Sequence, residues 1–203
     1  MITLILDSSA SSCNVGVFKD AEALSRAQEK MQRGQDARLM PMVVSAMAQA
    51  RCSFADLDRI AVTRGPGSFT GVRVGLAAAR GIGLAAQKPV IGIDRFSIYT
   101  LLRGSPEKNL LVVIESKRAE LFCRFFPAGQ QPHEPCMMTE PEIEAFLAAH
   151  PLTEVAGDVA TPDEDILLAC AKLAFSADPK SPESLPRPLY LRPPDVTFPN
   201  RPK

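Results

Sequence analysis

The residues of this 203-residue chain best able to do chemistry are a glycine-rich turn, two carboxylates at the ends of apolar runs, and two histidines. The turn, Gly65-Pro66-Gly67-Ser68-Phe69-Thr70-Gly71, leads into a long small-residue stretch and could offer backbone amides to an anion at a helix start. A Walker loop would need a lysine and then Ser or Thr after its last glycine. Here Val72-Arg73 follows Gly71, which excludes that motif. A dinucleotide fingerprint is one residue too long, although Asp94 after the next strand mimics its ribose-binding acid. Asp7 ends the first apolar run, where a carboxylate could meet phosphates or their metal, and Glu115 ends a comparable run 115 − 7 = 108 residues later. Neither has a visible lysine or glutamine partner for phosphoryl transfer. The candidate anion- or nucleotide-binding set is therefore Asp7, Gly65, Gly67, Ser68, Thr70 and Gly71. An ordinary tight turn with Ser68 as helix N-cap accounts for the turn residues equally well, and Asp7 could equally be an ordinary turn aspartate. His133 and His150 each neighbour a proline, and no HExxH, HxxxH, CxxC or GxSxG pattern occurs. No catalytic residue and no metal site is expected.

The elements that would position these residues follow from periodicity. Met1–Leu6 reads as a central strand, Cys13–Phe18 as its returning partner and Glu22–Lys30 as a weaker third strand, a meander with Asp7 at its first turn. Asp36 is expected to cap a helix over 36–50, with Leu39, Met40, Val43, Val44 and Met47 making an apolar surface wider than one contact requires. A strand at 59–64, the glycine turn, a helix over about 68–87, a strand at 89–93 and a helix from Asp94 to about Leu102 complete a βββαβα unit. Gly71, Gly75, Ala79 and Gly83 fall four apart along one face of the 68–87 helix. Each interior glycine there costs about 1 kcal/mol against alanine, so the face should admit a close neighbour.

After Gly104-Ser-Pro-Glu-Lys108 the pattern returns: strand 110–114, polar turn, strand 119–126, helix 141–149, strand 154–158 and helix 165–175. The expected architecture is α/β, a two-lobed actin-like fold with duplicated βββαβα units and a reduced second lobe, divided as 1–103 and 104–203. The proline-rich tail from Ser181 should run extended; its segment Pro188–Arg192 could dock, and its last eight or so residues are expected to be mobile.

Lys+Arg and Asp+Glu both number 23, so there is no global basic footprint for nucleic acid. The 46% hydrophobic content is enough for a substantial core. No apolar run reaches membrane-spanning length and no signal-peptide pattern opens the chain, so a cytoplasmic protein with no membrane partner is expected. Five scattered cysteines read as reduced packing residues.

The run Arg64-Gly-Pro-Gly-Ser-Phe-Thr-Gly-Val-Arg-Val-Gly-Leu76, followed by Ala77–Ala85, resembles the signature of the TsaB (YeaZ) family. Asp7-Ser-Ser, Arg38–Val43 and Pro188-Leu-Tyr-Leu-Arg192 resemble that family's opening, first helix and C-terminal motif. The resemblance implies a non-catalytic scaffold that heterodimerises with TsaD, the subunit that transfers a threonylcarbamoyl group to tRNA. The product is N6-threonylcarbamoyladenosine beside the anticodon of ANN-reading tRNAs. It further implies TsaE, an ATPase, as a third partner, a homodimer when TsaD is absent, and tRNA contact only through the complex. No cofactor of its own is implied, with ATP or ADP at the heterodimer interface left open. Gln35 and Leu39 stand near the place of the catalytic relative's HxxxH metal ligands. The partner interface implied on the first-lobe helices is Leu39, Met40, Val43 and Met47 together with Gly71, Gly75, Ala79 and Gly83. Where the family's second-lobe turn commonly reads Asp-Ala-Arg-Arg-x-Glu, this chain has Glu115-Ser-Lys-Arg-Ala-Glu120. The competing reading from another class is a self-sufficient nucleotide-binding enzyme of actin-like or Rossmann type.

Overall fold

The computed structural model describes residues 1–105, 107–158, 160 and 165–192. Alternation in the first strand builds the first lobe. In β1 (Ile2–Asp7), Leu4 and Leu6 face one side of the sheet and Ile5 the other, and all three are fully buried. Such two-sided burial requires cover on both faces. β2 (Ser12–Lys19) and β3 (Glu22–Lys30) complete the antiparallel meander, and β4 (Arg59–Thr63) and β5 (Val90–Ile93) add parallel strands, giving the order β3-β2-β1-β4-β5. Helices α1 (Gln35–Gln49) and α2 (Phe69–Ala86) bury Leu39, Val43, Met47, Val72, Leu76 and Ala79 against one face.

The second sheet repeats this order. β6 (Leu110–Ile114) pairs antiparallel with β7 (Glu120–Phe126) and parallel with β9 (Glu154–Ala156), while β8 (Cys136–Thr139) flanks β7. The order β8-β7-β6-β9 is the first sheet's order without its fifth strand. This duplication is the two-lobed actin-like α/β fold. α4 (Glu140–Ala149) covers one face through Ile143, with Thr139 and Glu142 forming a reciprocal capping box. α3 (Arg95–Arg103) links the lobes, since Ile98 packs on the first sheet and Phe96 and Tyr99 on the second.

Several local expectations differ. Gly34, with φ of 91°, occupies the N-cap of α1, and Asp36 lies in its first turn instead. β8 has no counterpart in the sequence reading, and a short 3-10 turn at Phe54–Asp56 was also unforeseen. The last helix, α5 (Ile166–Ser176), covers the far face of the first sheet through Leu167, Ala169, Cys170 and Ala174. The tail then returns to the first lobe: Leu189 N–H donates to the Arg64 carbonyl at 2.8 Å, and the Tyr190 ring lies 5.3 Å from Phe69. The segment expected to be mobile lies outside the described residues. No helix among the described residues is long and apolar enough to cross a membrane.

Candidate functional site: a filled turn and an open helix pair

Ser68 caps α2, its Oγ accepting from Gly71 N–H at 3.3 Å. The inner side of this turn packs on the chain itself, while Gly67 and Ser68 also line a cavity of about 450 Å³ on its other side. Ser68 N–H donates to the Ser9 carbonyl at 2.7 Å, and Ser8 Oγ donates to the Gly71 carbonyl at 2.8 Å. A Cβ on Gly71 would stand 1.9 Å from the Ser8 oxygen, and one on Gly67 would stand 2.2 Å from the Ser9 oxygen. These glycines therefore exist to let the Ser8-Ser9 backbone in. Gly65, at φ of 97°, needs the left-handed region, and Thr70 is exposed.

Asp7 is equally committed inward. Its Oδ1 accepts from Ser9 N–H at 3.0 Å, Ser9 Oγ at 2.6 Å and Thr63 Oγ1 at 2.7 Å; its Oδ2 accepts from Asn14 Nδ2 at 3.0 Å. Burial works to raise its pKa, but the Arg95 charge and the bonds from Ser9 and Thr63 outweigh it and hold the carboxyl below its usual range. Only 2% exposed and bonded through both oxygens, Asp7 is held within the lobe's interior. Glu115 is exposed, and its backbone N–H donates to Asp158 Oδ1 at 2.9 Å. The other oxygen of Asp158 accepts from buried Arg95 at 3.0 Å, so one carboxylate joins α3 to the loop after β6.

The expected docking residues divide unevenly. Leu39, Val43 and Met47 lie in the lobe's own core, as does Ala79. Gly71 and Gly75 face Ser8, and Gly83 faces Val90, where a Cβ would stand 2.4 Å from Cγ2. The 71/75/79/83 stripe is therefore the inward face of α2, and close approach there serves the lobe's own backbone and strands. Of the eight residues only Met40, 41% exposed, reaches the surface. The outward face is a neighbouring stripe that sequence reasoning missed. Val44 and Leu84 are exposed, and about 600 Å³ of open groove is lined by Met40, Phe54, Ala78, Gly81, Ile82 and Ala85, with Ala55 and Ala86 beside them. Every lining residue is apolar or glycine. The outward positions Ala77, Ala78, Gly81 and Ala85 are as small as the inward ones, so a second small-residue stripe was visible in the sequence without a sign of which one faces out.

A second cavity, of about 450 Å³, lies where the start of α2, the β6–β7 turn and the tail meet. Its lining includes Phe69, Tyr190, Phe122, Lys117, Arg118 and Arg192. Arg73 stacks over Phe69 at 3.7 Å and donates to the Tyr190 hydroxyl at 2.8 Å, fixing the tail against α2. No group of three or more potential metal ligands occurs among the described residues.

The family model of TsaD, tRNA N6-adenosine threonylcarbamoyltransferase, matches residues 28–124. The Escherichia coli tRNA threonylcarbamoyladenosine biosynthesis protein TsaB is 32% identical over 126 residues, 60% of this chain and 53% of that protein. YeaZ from Pseudomonas aeruginosa superposes with a TM-score of 0.69 at 23% identity, over 93% of this chain and 99% of that one. The chain is thus similar to TsaB proteins over 60% of its length and shares the YeaZ fold. It spans about half the length of the curated TsaB relatives it matches. An uncharacterized Mycobacterium tuberculosis protein, 28% identical, aligns over 95% of this chain and 92% of its own length. The glycine turn and both first-lobe helices fall within the family-model match.

Proposed function

We propose that this chain is a TsaB-type non-catalytic scaffold subunit in the synthesis of N6-threonylcarbamoyladenosine on ANN-reading tRNAs, and that it activates TsaD by heterodimerisation. The observation that carries the reading is the open apolar groove between α1 and α2, while Asp7 is held by the chain's own Ser9, Thr63 and Asn14. Small residues at Ala78, Gly81 and Ala85 allow another helix to approach closely, while Met40, Val44 and Leu84 supply area to bury. The match of the TsaD family model across both helices supports a related lobe of TsaD as the partner. In this reading TsaE joins the larger assembly, tRNA is reached through the complex, and the same face pairs two copies when TsaD is absent.

Co-expression with TsaD tests this directly. Val44→Glu and Gly81→Glu place charges on the outward face and should abolish co-purification and formation of modified tRNA, with an unchanged circular dichroism spectrum. Co-purification of both folded variants at full strength would remove the groove from the interface. Charges at Gly75 or Met47 make a poor test, because both positions are buried in the lobe itself.

One observation favours a second reading, nucleotide binding: the 450 Å³ cavity combines the cationic Lys117 with the aromatic Phe69 and Tyr190. Calorimetry with ATP and ADP on the chain alone and on the TsaD complex distinguishes the two. Tight binding with turnover by the isolated chain would favour an enzyme, whereas binding only in the complex would place the nucleotide at the interface.

A further inference from the structure

β7 and β8 set two cysteines opposite one another. In their antiparallel register Cys123 faces Cys136 and Leu121 faces Met138. Directly opposed residues of antiparallel strands project to the same side, with Cα atoms about 4.5–5.5 Å apart. That spacing lies within the roughly 4.4–6.8 Å that a disulfide spans. The shared side is the one covered by α4, because Leu121, Cys123, Phe125 and Met138 all pack there with Ile143. Cys123 is fully buried, while Cys136 is exposed at the first residue of the edge strand. One thiol is thus reachable from solvent and the other waits behind it.

We propose that Cys123 and Cys136 form a reversible cross-strand disulfide when the protein meets a peroxide. The exposed Cys136 thiolate attacks one peroxide oxygen, giving a sulfenic acid and releasing the second oxygen as hydroxide. Cys123 sulfur then attacks the sulfenic sulfur; the S–S bond forms, the S–O bond breaks, and a second hydroxide leaves. The two thiol protons convert both hydroxides to water. Two sulfurs lose two electrons in total and the O–O bond takes them up. The bridge closes the connection 124–135, with its prolines at 127, 132 and 135, and pins a strand otherwise paired only with β7.

Two features set the kinetics. Burial and the neighbouring Cys136 push the Cys123 thiol up to about 12, and burial together with Glu142 raises that of Cys136. Both groups are mainly protonated at neutral pH, so the reaction should be slow there and accelerate as pH rises. Cys13 and Cys170 are buried on opposite faces of the first sheet and serve as internal controls.

Hydrogen peroxide treatment of the folded full chain, read by intact mass and peptide mapping, tests the proposal. The expected result is the loss of two hydrogens, a Cys123–Cys136 linkage and its reversal by dithiothreitol. The linkage should persist in Cys170→Ser and vanish in Cys136→Ser and in Cys123→Ala. The oxidised protein should also melt several degrees higher than the reduced one, because a closed loop constrains the unfolded chain. Retention of five free thiols, a bridge between two chains, or arrest of Cys136 at the sulfinic acid would each overturn it.

Discussion

Asp7 shows how a residue suited to phosphate chemistry can be used up by folding. Its four hydrogen bonds come from Ser9, Thr63 and Asn14, and Arg95 supplies the opposite charge. Removing the carboxylate leaves buried donors unpaired, so Asp7→Ala should cost about 3 kcal/mol in urea unfolding. The Asn variant, which keeps one acceptor, should cost less. Its pH dependence has a definite sign: a pKa below the usual 3.8 in the folded state means the contribution is complete above that value and fades as pH falls through the folded pKa. An acid titration should therefore show the wild type losing its advantage over Asp7→Asn only below about pH 4. Gly71 is the companion case, because a methyl there would meet the Ser8 oxygen. Gly71→Ala should lower stability by at least about 2 kcal/mol in the same assay. Capping by Ser68 was legible because a cap acts within three residues. The commitment of Asp7 was not, because Thr63 lies 56 positions away.

At the scale of elements, the two helices of the first lobe show where periodicity stops informing. Apolar and small residues at helical spacing identify α1 and α2, but α2 carries two such stripes. The choice between them depends on which side meets Ser8, Val62 and Val90. Those contacts are non-local, so the sequence shows a bare helix without saying which face is bare to solvent. β8 escaped for a different reason: its four residues, Cys-Met-Met-Thr, show no clear alternation and follow a loop containing three prolines. The corrected orientation makes stability and binding move in opposite directions. Gly81 has open space where a Cβ would go, so Gly81→Ala should stabilise the isolated chain by up to about 1 kcal/mol through helix propensity alone. The same methyl stands in the groove and should weaken association with TsaD. Thermal melting together with pull-down affinity reads both effects, and a variant that gains stability without losing affinity would move the docking surface off Gly81.

Across the whole molecule, the two lobes are joined by more than the chain crossing between them. The far face of the first sheet is closed by α5, which follows the second sheet in sequence, and the tail crosses back so that Leu189 and Leu191 pack with Phe96 and Tyr99. The duplicated strand order was legible as a repeat of apolar run, acid, turn and returning strand. The exchange of cover between halves was not, because a helix such as α5 records that it has an apolar face but not which sheet will receive it. At the centre of this junction sits Asp158, which receives the buried Arg95 guanidinium from one side and the Glu115 N–H from the other. Burial favours the neutral form of Arg95, yet Asp158, Tyr99 and Asp7 raise its pKa, so the guanidinium stays charged. Deleting the Asp158 carboxylate removes a direct ion-pair partner of Arg95 and frees the β6 loop at once. Asp158→Ala should therefore cost about 2–3 kcal/mol, with Asp158→Asn recovering part of it by accepting one of the two bonds. Amide exchange should quicken in residues 110–126 more than in β1, since the second sheet loses its anchor while the first keeps α5 and its own helices. Uniform loss across both sheets would mean that the lobes unfold as one unit and that Asp158 is a general stabiliser rather than the joint between them.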